Sequence, residues 1–342
     1  GDRVNVTVVT GNFPGARSER IDGISYVRVG ASRPYAWSRL TFGRAATRML
    51  KTAKYDAAIF DFSGYSPVFL PRDKPTGVTV HHTSSPTAHH RWGSILTSAL
   101  SRVERTMMRR AKRASATSRA AKQTIESVAP GLPIDMVQAG VPAELFMLER
   151  KPENFLLYFG RLDVFHKGLD TLLEAVALLA RELPEIEIRI AGRGKDAERV
   201  KEIARELGIE RNVTLLGAVS DADRNSLFAR ACVQLMPSRF EGFGLAAAEA
   251  MAAGVPLIAS SAGSLPEVVD APRGGVLVQP GNAAALARAT ASLLEDSAAR
   301  ERLSETARES ARRFSWSTVA DEHLKFIERI AATQKHQRLI ET

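Results

Sequence analysis

Short apolar runs and amphipathic helical stretches alternate without a break from Phe155 to Glu295, and that alternation restricts the fold more than any other feature. Strands are expected at Phe155–Phe159, Ile186–Ile190, Val213–Leu216, Cys232–Met236, Val255–Ala259 and Val276–Val278. Helices are expected between them at Leu169–Leu183, Asp196–Leu207, Asp221–Ala231 and Ala283–Glu295, with an Ala-rich one opening after Gly244. Repeated strand–helix pairs build βαβ units, whose crossover helices lay each strand parallel to the last. The first half repeats the theme with weaker signals: strands at Val4–Val9, Ile24–Val29, Ala57–Phe60, Gly77–Val80, Ala114–Thr117 and Ile134–Val137, and a helix over Leu96–Arg113. The expected class is α/β, with two Rossmann-like domains whose parallel sheets face a cleft at the carboxyl ends of the strands.

A chain of 342 residues exceeds what one core sustains, which also argues for two domains. The divisions expected are 1–145, 146–313 and a terminal helix and tail over 314–342, with Thr333–Thr342 poorly anchored. Hydrophobic residues make up 44% and charged residues 25%, the balance of a water-soluble globular protein. No apolar run approaches the ~20 residues that cross a bilayer, and the first residues lack a signal-peptide pattern. The single cysteine, Cys232, excludes an internal disulfide and reads as a buried small hydrophobe. A cytoplasmic location is expected.

The net charge of +9 gathers in 91–122, where Arg102, Arg105, Arg109, Arg110, Lys112, Arg113, Arg119 and Lys122 face few acids. A solvated helix face is the plain reading. An anionic membrane surface or an acidic acceptor is the functional one, so peripheral contact with the inner face of a membrane is expected. No nucleic-acid motif accompanies the charge, and nucleic acid is ranked below both.

The chemistry concentrates in the run Pro237–Gly244 and the helix after it. Glu241 falls in the loop and Glu249 about two turns into the helix. Gly242 and Gly244 let the backbone approach a ligand, and the helix start offers free N–H groups that attract phosphate. The carboxylates suit sugar hydroxyls as acceptors. Gly160-Arg161-Leu162 ends one strand, and Lys167-Gly168 opens the next helix. Arg161 and Lys167 together would clamp a diphosphate. A lysine at a helix N-terminus opposes the dipole, which favours an anion there. Gly192-Arg193-Gly194 is too short for a dinucleotide fingerprint, and a tight turn explains its glycines, so no nicotinamide cofactor is expected.

His81 and His82 end a strand, with His89 and His90 shortly after. Their spacing does not suit a metal, and a strand-end histidine that hydrogen-bonds substrate is the better reading. Asp221-Ala222-Asp223 follows Ser220 and reads as a helix cap rather than a metal triplet.

Taken together, Gly160-Arg161-Leu162 with Lys167-Gly168, Gly192-Arg193-Gly194, Leu216-Gly217, the Phe240–Glu249 block and Leu265-Pro266-Glu267 resemble the GT-B glycosyltransferases of the large retaining family 4 (glycosyl transferases group 1). The resemblance implies that Arg161 and Lys167 bind the donor diphosphate. It implies that Glu249 accepts from ribose hydroxyls and Glu241 touches the transferred sugar. The loop of Gly192 and Arg193 and the backbone at Gly242, Phe243, Gly244 and Leu245 would face the donor, and His81 would stand at the reacting end, with His82 in reserve. No metal and no cofactor beyond a UDP- or GDP-type donor are implied. The implied reaction moves a hexose, with retention, to a lipid-linked, polysaccharide or small-molecule acceptor. Phe314-Ser315-Trp316 resembles the start of a helix that crosses back to the first domain.

Three departures stand out. Gly1–Gly15 resembles the family's second strand and its surroundings, with the first strand, glycine loop and helix missing before it, so a gap in the first sheet is expected. Gln138–Pro142 and Gly263-Ser264 also differ from the family pattern. An epimerase or phosphorylase on the same fold, or a nucleotide-binding fragment without transfer activity, are the alternatives.

Overall fold

The computed structural model describes residues 4–62, 68–81, 98 and 101–340, with side chains described to residue 333. The chain divides into two compact units. One comprises Gly1–Thr117, Ala121–Val137 and Glu322–Thr342; the other comprises Ser118–Ala120 and Gln138–Asp321.

The second unit is built on a six-stranded, wholly parallel sheet. Its spatial order is Val213–Gly217, Glu187–Ala191, Phe155–Phe159, Val233–Met236, Leu257–Ser260 and Val276–Val278. The inner strands Val233–Met236 and Leu257–Ser260 are buried at every position, while the edge strand Val213–Gly217 alternates in exposure. That contrast is the expected one: an inner strand covered on both faces is buried throughout and mostly apolar, with Gln234 the polar exception in Val233–Met236, whereas an edge strand keeps the two-residue period. The two covering layers form separate cores, one around Phe155, Phe228, Met251 and Phe314, the other around Leu156, Leu172, Ile188 and Leu235.

Side-chain caps fix several helix starts in this unit. Ser220 and Asp223 form a capping box at Asp221–Arg230, and Asn282 and Asp296 cap Ala283–Glu295 and Ser297–Ala311. The acidic triplet at 221–223 is thus a cap, and Asp221 pairs with Arg224 at 3.1 Å. The helix expected over Leu169–Leu183 closes earlier, at Ala180. Ser297–Ala311 has no strong sequence signal because its apolar spacing is carried mainly by small residues, Ala307 and Ala311 after Leu303.

The first unit carries two sheets among the described residues. One is the parallel set Ala58–Asp61, Thr76–Val80, Arg113–Ala116 and Ile134–Met136. The other pairs Thr7–Gly11 with Ile24–Val29 in parallel and adds Glu19–Ile21 antiparallel. That last strand corrects the all-parallel expectation. It is made by the turn at Asp22-Gly23, where φ is 50° and 80°, the left-handed pair that reverses a hairpin. The helix Tyr35–Thr52 adds an element absent from the sequence expectation; Phe42, Ala46 and Leu50, four residues apart, seat it on the core.

The backbone is helical over 101–108, with Met107 and Met108 buried; Leu96 and Leu100 of the expected helix lie outside the described residues. The terminal helix Trp316–Ile340 buries Val319, Phe326 and Ile330. Among the described residues no helix is long and apolar enough to cross a membrane.

Candidate active site

Two strand ends in the second unit create the site. Phe155–Phe159 runs into Gly160-Arg161-Leu162, a one-turn helix Val164–Lys167, and then Gly168 in the left-handed conformation. Asp163 caps that turn, accepting from the His166 N–H at 3.0 Å and lying 2.8 Å from His166 Nδ1. Lys167 therefore closes a short helix instead of opening the long one, which starts at Leu169. The dipole argument for an anion beside it does not hold at that position, since a cation suits a helix C-terminus.

A carboxylate faces Lys167. The lysine Nζ lies 2.5 Å from Glu241 Oε1, and Ser238 Oγ donates to the same oxygen at 2.9 Å. Both charged side chains are largely withdrawn from water, at 17% and 8% exposure. The loop bearing Glu241 is tied to the Lys167 loop at several further points. The N–H groups of Arg239 and Phe240 donate to the His166 carbonyl at 2.9 and 3.2 Å, and Arg239 forks onto Asp170 at 2.8 and 2.9 Å. Sequence reasoning misses Arg239. A surface Arg in a Ser/Gly loop carries no signal, because its partner Asp170 is 69 residues away.

A cavity of about 210 Å³ opens between these loops, lined by Tyr158, Gly160, Lys167, Ser238, Glu241 and Leu245 among others. It brings together Lys167, Glu241 and Leu245 from the expected set. Arg161 and Arg193 are exposed on neighbouring loops and do not line it. Tyr158 is buried at its wall; burial drives its phenol far above the ordinary range, and the neutral O–H donates to the Arg161 carbonyl at 2.9 Å.

The glycines are set by backbone crossing. A Cβ on Gly192 would stand 1.8 Å from the Gly160 carbonyl oxygen, and one on Gly194 would stand 1.9 Å from that of Leu162. The tight-turn explanation for Gly192-Arg193-Gly194 is thus incomplete: these glycines allow two strand-end loops to touch, with Leu162 N–H donating to the Arg193 carbonyl at 2.9 Å.

Gly244, at φ 91°, precedes the helix Leu245–Ala252. Among the described residues the N–H groups of Gly242, Phe243 and Gly244 donate to no protein acceptor, the usual state of a helix start that has an anion or water before it. The Phe243 side chain is core, edge-on to Phe314 at 5.5 Å, so only its backbone is available to a ligand. Ser264, one of the departures from the family pattern, pins this loop: its buried Oγ donates to the Phe243 carbonyl at 2.7 Å.

Glu249 lies little more than one turn into its helix, not two, and outside the cavity. It is 7% exposed, and its carboxyl pKa is pushed up to about 7, chiefly by burial, with Arg224 pulling it down and Asp221 and Glu144 adding to the rise. Arg224 Nη1 is 3.6 Å away, beyond hydrogen-bond reach, and among the described residues no donor bonds to the Glu249 carboxylate. A largely buried glutamate whose oxygens have no donor among the described residues is ready for hydroxyl groups.

His81 belongs to the first unit, at the end of Thr76–Val80. Its Nε2 is 3.1 Å from Asp61 Oδ1, and that hydrogen bond raises its pKa against the opposing effect of burial. His323, on the terminal helix of the same unit, is lowered, mainly by burial and also by His81. His82, His89 and His90 lie outside the described residues. No cluster that would hold a metal occurs among the described residues. The Cys232 thiol is raised by burial, as befits a packed core residue. In the basic stretch Arg113 is bound to Asp135 at 2.8 Å and Lys122 lies 3.9 Å from Glu126, while Arg102, Arg105 and Arg109 are exposed at helical spacing.

The model of the family "Glycosyl transferases group 1" matches residues 146–310, and that of "Glycosyltransferase Family 4" matches residues 2–145. Glycogen synthase of Mycobacterium tuberculosis is 34% identical over 259 residues, 72% of this chain and 61% of that protein. The chain spans between 38% and 61% of the length of such curated relatives. Among solved structures, sucrose-phosphate synthase from Thermosynechococcus elongatus superposes with a TM-score of 0.81 at 22% identity, covering 96% of this chain and 90% of that one. Anabaena HepE in complex with UDP and glucose gives 0.73 at 20% identity, covering 90% and 86%. The chain belongs to the family 4, group 1 glycosyltransferases and has their GT-B fold.

Proposed function

We propose that this chain transfers a hexose from a UDP- or GDP-type donor, with retention of anomeric configuration and without a metal, to a lipid-linked or polysaccharide acceptor. The observation that carries the reading is the Lys167–Glu241–Ser238 network beside a helix start with unpaired N–H groups. Lys167, with Arg161 on the same loop, meets the diphosphate; the backbone at Gly242–Gly244 adds preorganised donors where leaving-group charge grows. Glu241 orients the sugar, and Glu249 accepts from ribose hydroxyls. The bond from the anomeric carbon to phosphate breaks as the acceptor oxygen bonds on the same face, and the acceptor proton passes to the leaving phosphate.

The likeness to glycogen synthase supports a glycan acceptor, and the HepE complex supports a UDP-sugar donor. Exposed Arg102, Arg105 and Arg109 support contact with an anionic membrane at the cytoplasmic face. The test is incubation with UDP- and GDP-hexoses, glycan and lipid-linked acceptors and a chelator, followed by NMR of the product anomer. A product with the donor's configuration, formed in the chelator, is expected. Inversion, or donor epimerised or hydrolysed with no transfer, would overturn the reading.

A further inference from the structure

Arg224, to which the proposed transfer gives no role, stands at the centre of a charge cluster that includes Glu249. It is 8% exposed on the helix Asp221–Arg230. Its guanidinium is held from one side by Asn225 Oδ1, at 3.1 Å from Nε and 3.0 Å from Nη2. Nη1 lies 3.1 Å from Asp221 Oδ1, and Nη2 lies 3.5 Å from Glu144 Oε1 on the helix Ala143–Phe146. The remaining neighbour is Glu249, 3.6 Å from Nη1. Asp221 and Glu144 are well exposed, at 88% and 55%, so water screens them, whereas Glu249 is 9% exposed at its side chain.

Three carboxylates around one cation compete for it, and the buried one gains most from the charge because low polarity strengthens the attraction. The distance is also telling. At 3.6 Å the guanidinium supplies charge while leaving the carboxylate oxygens without a donor. A direct fork would have occupied those oxygens.

We propose that Arg224 is a positioning residue that favours the anionic form of Glu249 against burial and the two neighbouring acids, while leaving its oxygens open to the ribose hydroxyls. The proposal rests on the ribose role proposed for Glu249, and it makes nucleotide affinity depend on pH through a pair remote from the diphosphate. Glu249 faces Arg224, Asp221 and Glu144; the two acids favour its neutral form and Arg224 opposes them. Loss of Arg224 would leave Glu249 protonated near neutrality, and a protonated carboxyl is a poorer acceptor for two hydroxyls.

The test is calorimetric titration of the full chain with UDP and GDP from about pH 5.5 to 9, alongside the 2′,3′-dideoxy analogues. The analogues carry the same diphosphate, so its own titration cancels in the comparison. For the wild type, the advantage of the ribose nucleotide is expected to fall as pH drops through about 7. In Arg224→Gln the midpoint should move up by about one unit, costing about fivefold in affinity near neutrality with little change for the dideoxy analogue. Arg224→Lys should restore most of the wild-type profile. An unmoved midpoint in Arg224→Gln, with Glu249→Gln still weakening ribose nucleotides, would overturn the proposal alone. Unchanged affinity in Glu249→Gln would overturn the ribose reading and this proposal with it.

Discussion

Lys167 Nζ and Glu241 Oε1 meet at 2.5 Å across 74 residues of sequence, and both side chains are mostly buried. Each is the other's compensation for leaving water. On the proposed reading, a diphosphate arriving at Lys167 would compete with Glu241, and the pair would act as a latch. A double-mutant cycle of Lys167→Met and Glu241→Gln should give a coupling of at least ~1 kcal/mol in the free protein, read by denaturant unfolding. A smaller coupling in saturating UDP is expected; equal coupling in both conditions would contradict a shared Lys167.

The loop glycines should be less replaceable than exposed ones. A Cβ on Gly168 would stand 2.1 Å from the Pro237 carbonyl oxygen, and one on Gly263 would stand 2.3 Å from that of Glu241. Both residues have positive φ. Gly168→Ala and Gly263→Ala should each lower stability by more than ~2 kcal/mol, because the neighbour is backbone. Gly208 and Gly281 also have positive φ but open space around them, so their Ala variants should lose only ~1 kcal/mol. Thermal melts of the four variants check the order.

Ser264 donates from a buried site to the Phe243 carbonyl, so Ser264→Ala leaves that acceptor unpaired in the turn before Leu245. A loss of about 1–2 kcal/mol is expected, with weaker nucleotide binding than the stability change alone would explain. An Ala variant as stable and as tight-binding as the wild type would remove the anchoring role.

Stability should depend on pH through Glu249. Its folded pKa of about 7 lies above the ordinary carboxylate value, so the folded state favours the protonated form. The contribution is intact below the unfolded pKa and is lost as pH rises to about 7. Glu249→Gln should therefore match the wild type at about pH 4 and exceed it at about pH 8, by on the order of 2–3 kcal/mol. The gain would come with weaker nucleotide binding, measured on the same samples.

His81 gives a pH prediction of its own. Its pKa is raised by the hydrogen bond to Asp61. The stability gained from that bond is present below the ordinary histidine pKa and is lost as pH rises through the raised one. In Asp61→Asn the His81 proton resonances should titrate at lower pH; an unmoved titration would mean that Asp61 does not set it.

Much of the fold of the second unit is legible in the sequence because short apolar strands alternate with helices: Phe155–Phe159, Val276–Val278 and the helix Ala283–Glu295 fall where the pattern puts them. The first unit is harder to read. Glu19–Ile21 is fully exposed and its only signal is the Asp22-Gly23 turn after it, while Tyr35–Thr52 buries only Gly43 and Ala46. At the site, residue types and local spacing point to Lys167, Glu241 and Glu249. Their pairings do not follow, since Lys167–Glu241, Arg239–Asp170 and Arg224–Glu144 each join segments more than 60 residues apart. Ser264 shows the converse: a departure from a glycine pattern anchors the loop that the pattern serves.

The central claim is that the second unit holds a nucleoside diphosphate through Lys167 and the turn before Leu245. Calorimetric titration of the wild type and Lys167→Ala with UDP and GDP tests it most directly. The account predicts saturable binding of at least one of them to the wild type and a loss of about 1–3 kcal/mol in the variant. Equal affinities, or no binding to either protein, would contradict it.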